Sequence, residues 1–236
     1  DADITWRDAG SGADWHLSEL AFSARLPEDL AAPTREFHDI ELVGRLAGGP
    51  IAAGGVQFGL QVDAARTTPE LLQVPVFNAR WSEAVLSGAV DARLVAPQKV
   101  DASLAVQVPS LRALLATVGI TPPPMADPMT LGPLQGKVAL HYAAGAAVLD
   151  NLALSLDDTN LTGELALPGI DPLALRFTLD ADRVDLDRYM TPADMESKPL
   201  ELPLAALKTM DAKGVLRIRS ATVAGAAAKD VRIDVE

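Results

Sequence analysis

Asp180, Asp182, Asp185 and Asp187 place four carboxylates in one short stretch, the kind of oxygen-rich spacing from which a calcium loop is built. The glycine turn of an EF-hand loop is missing, and Val184 and Leu186 continue an apolar–polar alternation, so these acids read as the solvated face of a strand. Gly132 to Gly136 followed by Lys137 resembles a phosphate loop only on its surface. Too few residues separate the glycines, Val138 stands where Ser or Thr would meet a cation, and a strand pattern follows instead of a helix. His16, His38 and His141 lie far apart and have no cysteine partners, because the chain has none, so they read as polar strand positions and not as zinc ligands. No serine sits in a nucleophile elbow, and no carboxylate pair for glycoside chemistry stands out among the 32 acids. The expectation is a protein that is not an enzyme, with no catalytic residue, no metal site and no cofactor.

The elements that carry these residues are strands. Val56, Phe58, Leu60 and Val62 alternate with Gln57, Gly59, Gln61 and Asp63, and Val100, Leu104, Val106 and Val108 alternate with Asp101, Ser103, Ala105 and Gln107. Leu152, Leu154 and Leu156, then Leu161, Leu165 and Leu167, then Leu173, Leu175, Phe177 and Leu179 do the same. Period-two alternation is the signal of strands with one apolar face. About a dozen strands are expected, joined by short turn-forming links such as 143–145, 157–160 and 169–172, so sequential strands should pair antiparallel as a meander.

The pattern also repeats. Leu86-Ser87-Gly88 and Leu161-Thr162-Gly163 match at a fixed offset, and so do Val90 with Leu165, Pro97 with Pro172, Val100 with Leu175 and Leu104 with Leu179. A repeat of this kind means stacked units, each too small to bury its apolar face alone. The best helix runs from Ser110 as N-cap to Gly119 just past its end, with Leu111, Leu114, Leu115 and Val118 on one stripe. The repeat places a second helical turn at 187–190, a further helix starts at Pro203, and a weak single turn falls at 68–70. The expected organisation is an N-terminal β segment over 1–53, a first repeat over 54–133, a second over 134–213 and the opening of another over 214–236.

Half of the 236 residues are apolar, enough for a substantial core, whereas the net charge of −12 and the scattered Lys and Arg argue against a surface that binds nucleic acid or an anionic membrane. No stretch reaches the length of a membrane-spanning helix, and no signal peptide is present. The abrupt start at Asp1 and the end inside an apparent strand read as a piece cut from a longer protein.

A helix covers about two strands in width. Two or three helices cannot cover a dozen strands, so the apolar face must meet a second sheet, the same sheet curled over, or an apolar ligand. Aromatics make up only 4% of the chain, which disfavours a sugar-binding platform, although a closed β-sandwich interaction or carbohydrate-binding module remains the alternative. The Leu, Val and Ala faces suit a dry sandwich core and an open groove for alkyl chains equally well.

Several stretches resemble the AsmA family of envelope proteins of double-membraned bacteria. They are Ile4-Thr5-Trp6-Arg7-Asp8 with His16-Leu17-Ser18-Glu19-Leu20, the segment Ser110 to Gly119 with Ala126-Asp127-Pro128, the segment Leu154 to Gly163, Val184 to Tyr189, and Leu202-Pro203-Leu204 leading through Met210 to Gly214 and on to Thr222-Val223-Ala224-Gly225. The resemblance implies a periplasmic segment tethered to the inner membrane by an N-terminal helix outside this sequence, built from repeated β-groove modules, and linked to outer-membrane biogenesis and glycerophospholipid movement. It brings no catalytic motif. Together these readings predict a mainly β fold, a curled antiparallel sheet with a few short helices. Its groove would hold phospholipid or another acyl lipid against Val56, Phe58, Leu60, Val100, Leu104, Val106, Leu152, Leu154, Leu156, Leu161, Leu165, Leu167, Leu175, Phe177 and Leu179. Envelope proteins are further expected partners, and nucleic acid is not.

Overall fold

The computed structural model describes residues 2–10, 12–170, 173–190 and 211–235. The fold is mainly β and mostly antiparallel, as the alternation predicts. The chain divides into two compact units, Asp1–Pro122 and Pro123–Glu236. The first holds β1 (Ala2–Arg7), β2 (Asp14–Arg25), β3 (Arg35–Gly48), β4 (Ile51–Thr67), β5 (Leu71–Trp81), β6 (Ala84–Arg93) and β7 (Lys99–Val108), followed by α1 (Leu111–Thr117). The second holds β8 (Leu134–Ala143), β9 (Ala146–Leu156), β10 (Thr159–Ile170), β11 (Leu173–Asp185), a 3-10 turn over Leu186–Arg188, β12 (Asp211–Val223) and β13 (Ala226–Val235). Within each unit the hydrogen-bonded neighbours follow chain order, and the strands do not close into a barrel.

Turn chemistry explains the hairpins. Ala144 and Gly145 both have positive φ, as do Ala224 and Gly225, which is the twist that a two-residue link between antiparallel strands requires. The meander breaks at one place: β12 runs parallel to β11, with Ala174 beside Asp211 and Asp185 beside Thr222. A parallel pair needs a long crossover, and the stretch 186–210 between these strands is long enough to supply one. The weak turn at 68–70 is not helical either. There the Thr68 hydroxyl accepts the amides of Glu70 and Leu71, a side-chain cap that competes with helix formation. The helix expected at Pro203 lies outside the described residues.

α1 begins where its cap predicts. The Ser110 hydroxyl accepts the Ala113 amide at 3.2 Å, and Gly119 follows the C-cap with φ of +73°. A Cβ on Gly119 would fall 2.1 Å from the Pro50 carbonyl oxygen, so only glycine lets the helix end sit against the β3–β4 turn. The indole of Trp81 donates to the Thr117 hydroxyl at 3.2 Å and pins the last turn of the helix.

The sequence repeat survives as register. In the first unit Leu86 pairs with Val106, Gly88 with Leu104 and Val90 with Ala102; in the second Leu161 pairs with Ala181, Gly163 with Leu179 and Leu165 with Phe177. Even the bulge is shared, falling between Val74 and Phe77 in β5 and between Leu149 and Leu152 in β9. The glycines at the centre of the echo are required by contact. A Cβ on Gly88 would meet the Ser103 carbonyl oxygen at 2.1 Å, and one on Gly163 would meet that of Thr178 at the same distance. After β7 comes α1, capped by Ser110, and after β11 comes the 3-10 turn, capped by Asp185, which stands at the equivalent position.

Candidate functional site: an apolar sheet face

Residues directly opposite one another on paired strands share a face, so the registers can be followed across each unit as rungs. In the first unit one rung runs Phe22, Leu42, Leu60, Ala79, Leu86, Val106 over six strands. Its neighbours on the same face include Gly44, Phe58 and Trp81, then Ile40, Val62, Phe77, Gly88 and Leu104. Val56 lies beside Leu46, and Val100 beside Ala92. In the second unit one rung runs Gly136, Leu154, Leu161, Ala181, Ile218, Val231, and the next runs Leu152, Gly163, Leu179, Leu216, Ile233. Leu165 and Phe177 continue this face, with Leu167 beside Ala147, Leu175 beside Ala212, and Leu156 between Leu134 and Thr159. Each unit therefore gathers its own expected residues onto one face.

The two phenylalanines occupy equivalent surroundings. Each lies over a cross-strand glycine: a Cβ on Gly44 would fall 2.6 Å from the Phe58 ring, and one on Gly214 would fall 2.6 Å from that of Phe177. Phe58 also stacks on Trp81 with ring centroids 6.5 Å apart. At the edge of the same unit Trp6 stacks on Trp15 at 6.1 Å.

Burial decides what kind of face this is. Of the fifteen expected residues only Val56 is buried, at 4% exposure, and every other one is half-buried. Among the described residues the large side chain below 2% exposure is Thr130, which is polar; no Leu or Phe reaches that level. In a closed sandwich the inward Leu and Phe would be the most deeply buried side chains.

Alternation alone missed part of the face. Counting by twos from Leu152 leads to Asp150 and Val148, whereas the structure puts Leu149 opposite Leu165 and on the apolar side. The bulge at Asp150-Asn151 shifts the parity, and Asn151 takes φ of +50° there. Its signal in the sequence is an Asp-Asn pair inside a Leu run, two residues that tolerate the left-handed region. Val74 and Phe77 are related in the same way across the bulge in β5.

The opposite face carries charges in pairs, such as Arg45 with Glu19, Arg66 with Glu36, and Arg217 with Asp180. The acidic run separates into individual tasks. Asp180 pairs with Arg217, as a solvated strand face should, while Asp182 accepts both the amide and the side chain of Asn160. Asp185 caps the 3-10 turn, and the two oxygens of Asp187 accept the amides of Ala224 and Gly225 in the β12–β13 turn. Among the described residues no group of three or more His, Asp or Glu is placed to hold a metal ion.

One polar cluster has the ingredients of acid–base chemistry. The Tyr189 hydroxyl donates to Asp157, which also accepts the amides of Leu131 and Gly132, and Arg188 binds both Asp127 and Asp158. Burial raises the Asp157 pKa, but the bonds from Tyr189, Gly132 and Leu131 and the charge of Arg188 outweigh it and hold this carboxyl below its usual range. Burial first, then the bond to Asp157 and its charge, push the Tyr189 hydroxyl up. Both groups move away from neutral pH, the reverse of what a proton-transfer pair needs. The arrangement is a clasp that ties the 3-10 turn to the 127–132 loop and the β9–β10 turn.

Comparison of the chain with protein-family models, with curated proteins and with solved structures returned no match.

Proposed function

We propose that the apolar faces bind the acyl chains of phospholipid, and that the chain is an AsmA-like periplasmic segment, tethered to the inner membrane, that shields or guides lipid for outer-membrane biogenesis and lipid homeostasis. The observation that carries this reading is the half-buried state of fourteen of the fifteen face residues. Apolar surface left uncovered on this scale marks an interaction site. The occupant must be apolar, because the rungs offer Leu, Val, Ala and Phe and no row of hydrogen-bonding groups. A six-strand rung spans about 24 Å at the usual strand spacing, more than the ~15 Å depth of one leaflet's hydrocarbon. An extended acyl chain fits along it while the headgroup stays in water. The motif resemblance supports the same cargo and the same compartment.

Leu154→Asp tests the reading directly. A half-buried position should tolerate the change at a cost of roughly 1–2 kcal/mol, with circular dichroism and a cooperative melt retained, while a fluorescent fatty-acyl probe binds about tenfold more weakly. Global unfolding of Leu154→Asp would point to a closed core. If protein secreted to the periplasm carries no phospholipid by native mass spectrometry, and the probe does not bind, the proposal fails.

A further inference from the structure

The face of the second unit that turns away from the apolar rungs carries a cavity of about 560 Å³, within the range of small-ligand sites. Three guanidinium groups line it, those of Arg217, Arg219 and Arg232, together with three carboxylates, those of Asp180, Asp182 and Asp230. The registers explain the gathering. Arg217 lies between Leu216 and Ile218 of the apolar rungs and so points to the other face, where it stands opposite Asp180 in β11 and opposite Arg232 in β13. Arg219 and Asp230 lie between the paired positions Ile218–Val231 and Ser220–Lys229, so they too are neighbours across the β12–β13 ladder.

Two features set this cluster apart from the paired charges elsewhere on the strands. Arg217 and Arg232 are like charges directly opposite one another, an arrangement that costs stability when no anion stands between them. The protein supplies little there: Arg217 reaches Asp180 at only 3.6 Å, and Arg232 is drawn to Asp234 on its own strand at 2.7 Å. The second feature is a pair of opposite charges that do not meet. Among the described residues neither the Arg219 nor the Asp230 side chain has an ion-pair or hydrogen-bond partner. The polar cavity of the first unit differs on both counts, because there Arg66 binds Glu36 and Gln73 binds Asp91.

We propose that the cavity of the second unit binds a small zwitterion carrying a phosphodiester and an ammonium group, with the phosphate on Arg219 and between Arg217 and Arg232, and the ammonium on Asp230. A tetrahedral phosphate can meet guanidinium groups that arrive from two strands, whereas a planar carboxylate pairs with a single fork. The ammonium follows from charge balance. The three cations and three carboxylates of the lining cancel, so a bare anion would leave the site negative, and a ligand that is neutral with its charges separated matches it. The site lies on the face away from the acyl rungs, and the proposal does not rest on acyl binding there.

Titration of the 236-residue chain with glycerophosphoethanolamine at fixed ionic strength, followed by amide chemical shifts, should saturate and should move the amides of 217–219 and 230–232 without moving those of the first unit. Dimethyl phosphate and ethanolamine, each carrying one of the two charged groups, should bind about tenfold or more weakly. Arg219→Gln should lower affinity for the zwitterion about tenfold. Asp230→Asn should lower it as well, while dimethyl phosphate binds no worse than before. Since neither side chain has a partner in the fold, both variants should keep the circular dichroism and melt of the unaltered chain. Vesicles containing phosphatidylethanolamine that displace the soluble ligand would identify its source as a lipid headgroup, and vesicles that leave it bound would identify the free phosphodiester. The proposal is overturned by the absence of a saturable shift, by binding of β-alanine as tight as that of glycerophosphoethanolamine, or by unchanged affinity in Arg219→Gln. It is also overturned if Arg219→Gln and Asp230→Asn prove energetically coupled in melts of the ligand-free chain, because the two would then be an ordinary surface ion pair.

Discussion

The two copies of the repeat agree in the middle and differ at their ends. From Leu72 beside Ala92 to Trp81 beside Ala84, every β5–β6 pair has its β9–β10 counterpart at the same offset, including the bulge and the glycine facing it. Beyond the strands the first copy makes a two-turn helix held by the neutral contact of Trp81 with Thr117. The second makes one 3-10 turn held by carboxylates, an arginine and a tyrosine. What the copies preserve is therefore a strand register and its irregularity. The cap is free to change its chemistry as long as it stands on the same N-cap position.

The sharpest way to break that comparison is at the shared glycines. Gly88→Ala and Gly163→Ala each drive a Cβ onto a neighbouring backbone oxygen that cannot swing aside, so each should cost roughly 3 kcal/mol or more in urea denaturation. Gly163 also has φ of +144°, which only glycine adopts readily, so its substitution should cost about 1–3 kcal/mol beyond that of Gly88. Gly54→Ala serves as the control, because nothing lies within 4 Å of its added Cβ and its φ is ordinary; it should stay within about 0.5 kcal/mol. If Gly88→Ala proves as harmless as Gly54→Ala, the echo does not encode a shared bulge.

Much of this was legible from residues alone. Ser110 and Gly119 mark the ends of α1 because capping is local: the hydroxyl and the left-handed glycine act within one turn of their own position. The apolar face was legible wherever alternation ran unbroken, as from Val100 to Val106. It was lost at Leu149, because a bulge changes parity without changing composition. The parallel placement of β12 was not legible for another reason. Strand direction is set by the length and path of the connection, whereas the alternation in 211–223 is the same for either direction. The clasp of Asp127, Asp157, Arg188 and Tyr189 was hidden too, since its members come from three separate segments and meet only once the registers of β8 to β11 are fixed.

Charge at one cap and its absence at the other should separate the copies by pH. Asp157 is held below the ordinary carboxylate range, so its contribution to stability is complete above that range and is lost as pH falls through the lowered folded value. Below the ordinary Asp value of about 3.9, hydrogen exchange at Leu131, Gly132 and Tyr189 should quicken before exchange in α1 does. Asp157→Asn should remove that difference and cost about 1–2 kcal/mol at neutral pH, through its weaker bonds to Tyr189 and the two amides. Equal acid sensitivity of the two caps would show that the clasp does not hold the second copy's end.

The smallest expected effect bears on the position the two caps share. Ser110 accepts the Ala113 amide and opens a helix of seven residues, so Ser110→Ala removes the partner of a helix-end amide and should cost about 1 kcal/mol. Asp185 accepts the Asp187 amide and opens only three residues, so Asp185→Ala should cost less, about half as much. The two losses should also differ in reach. Fraying of α1 withdraws the helix from β4, the strand it contacts and the one that carries the buried Ile51 and Val56, so exchange in β4 should rise with Ser110→Ala. The 3-10 turn is still tied through Arg188 and Tyr189 when its cap is removed, so β12 should keep its protection. A cap substitution that loosened both units alike would mean that the helix adds nothing the turn lacks, and the difference between the copies would be one of length alone.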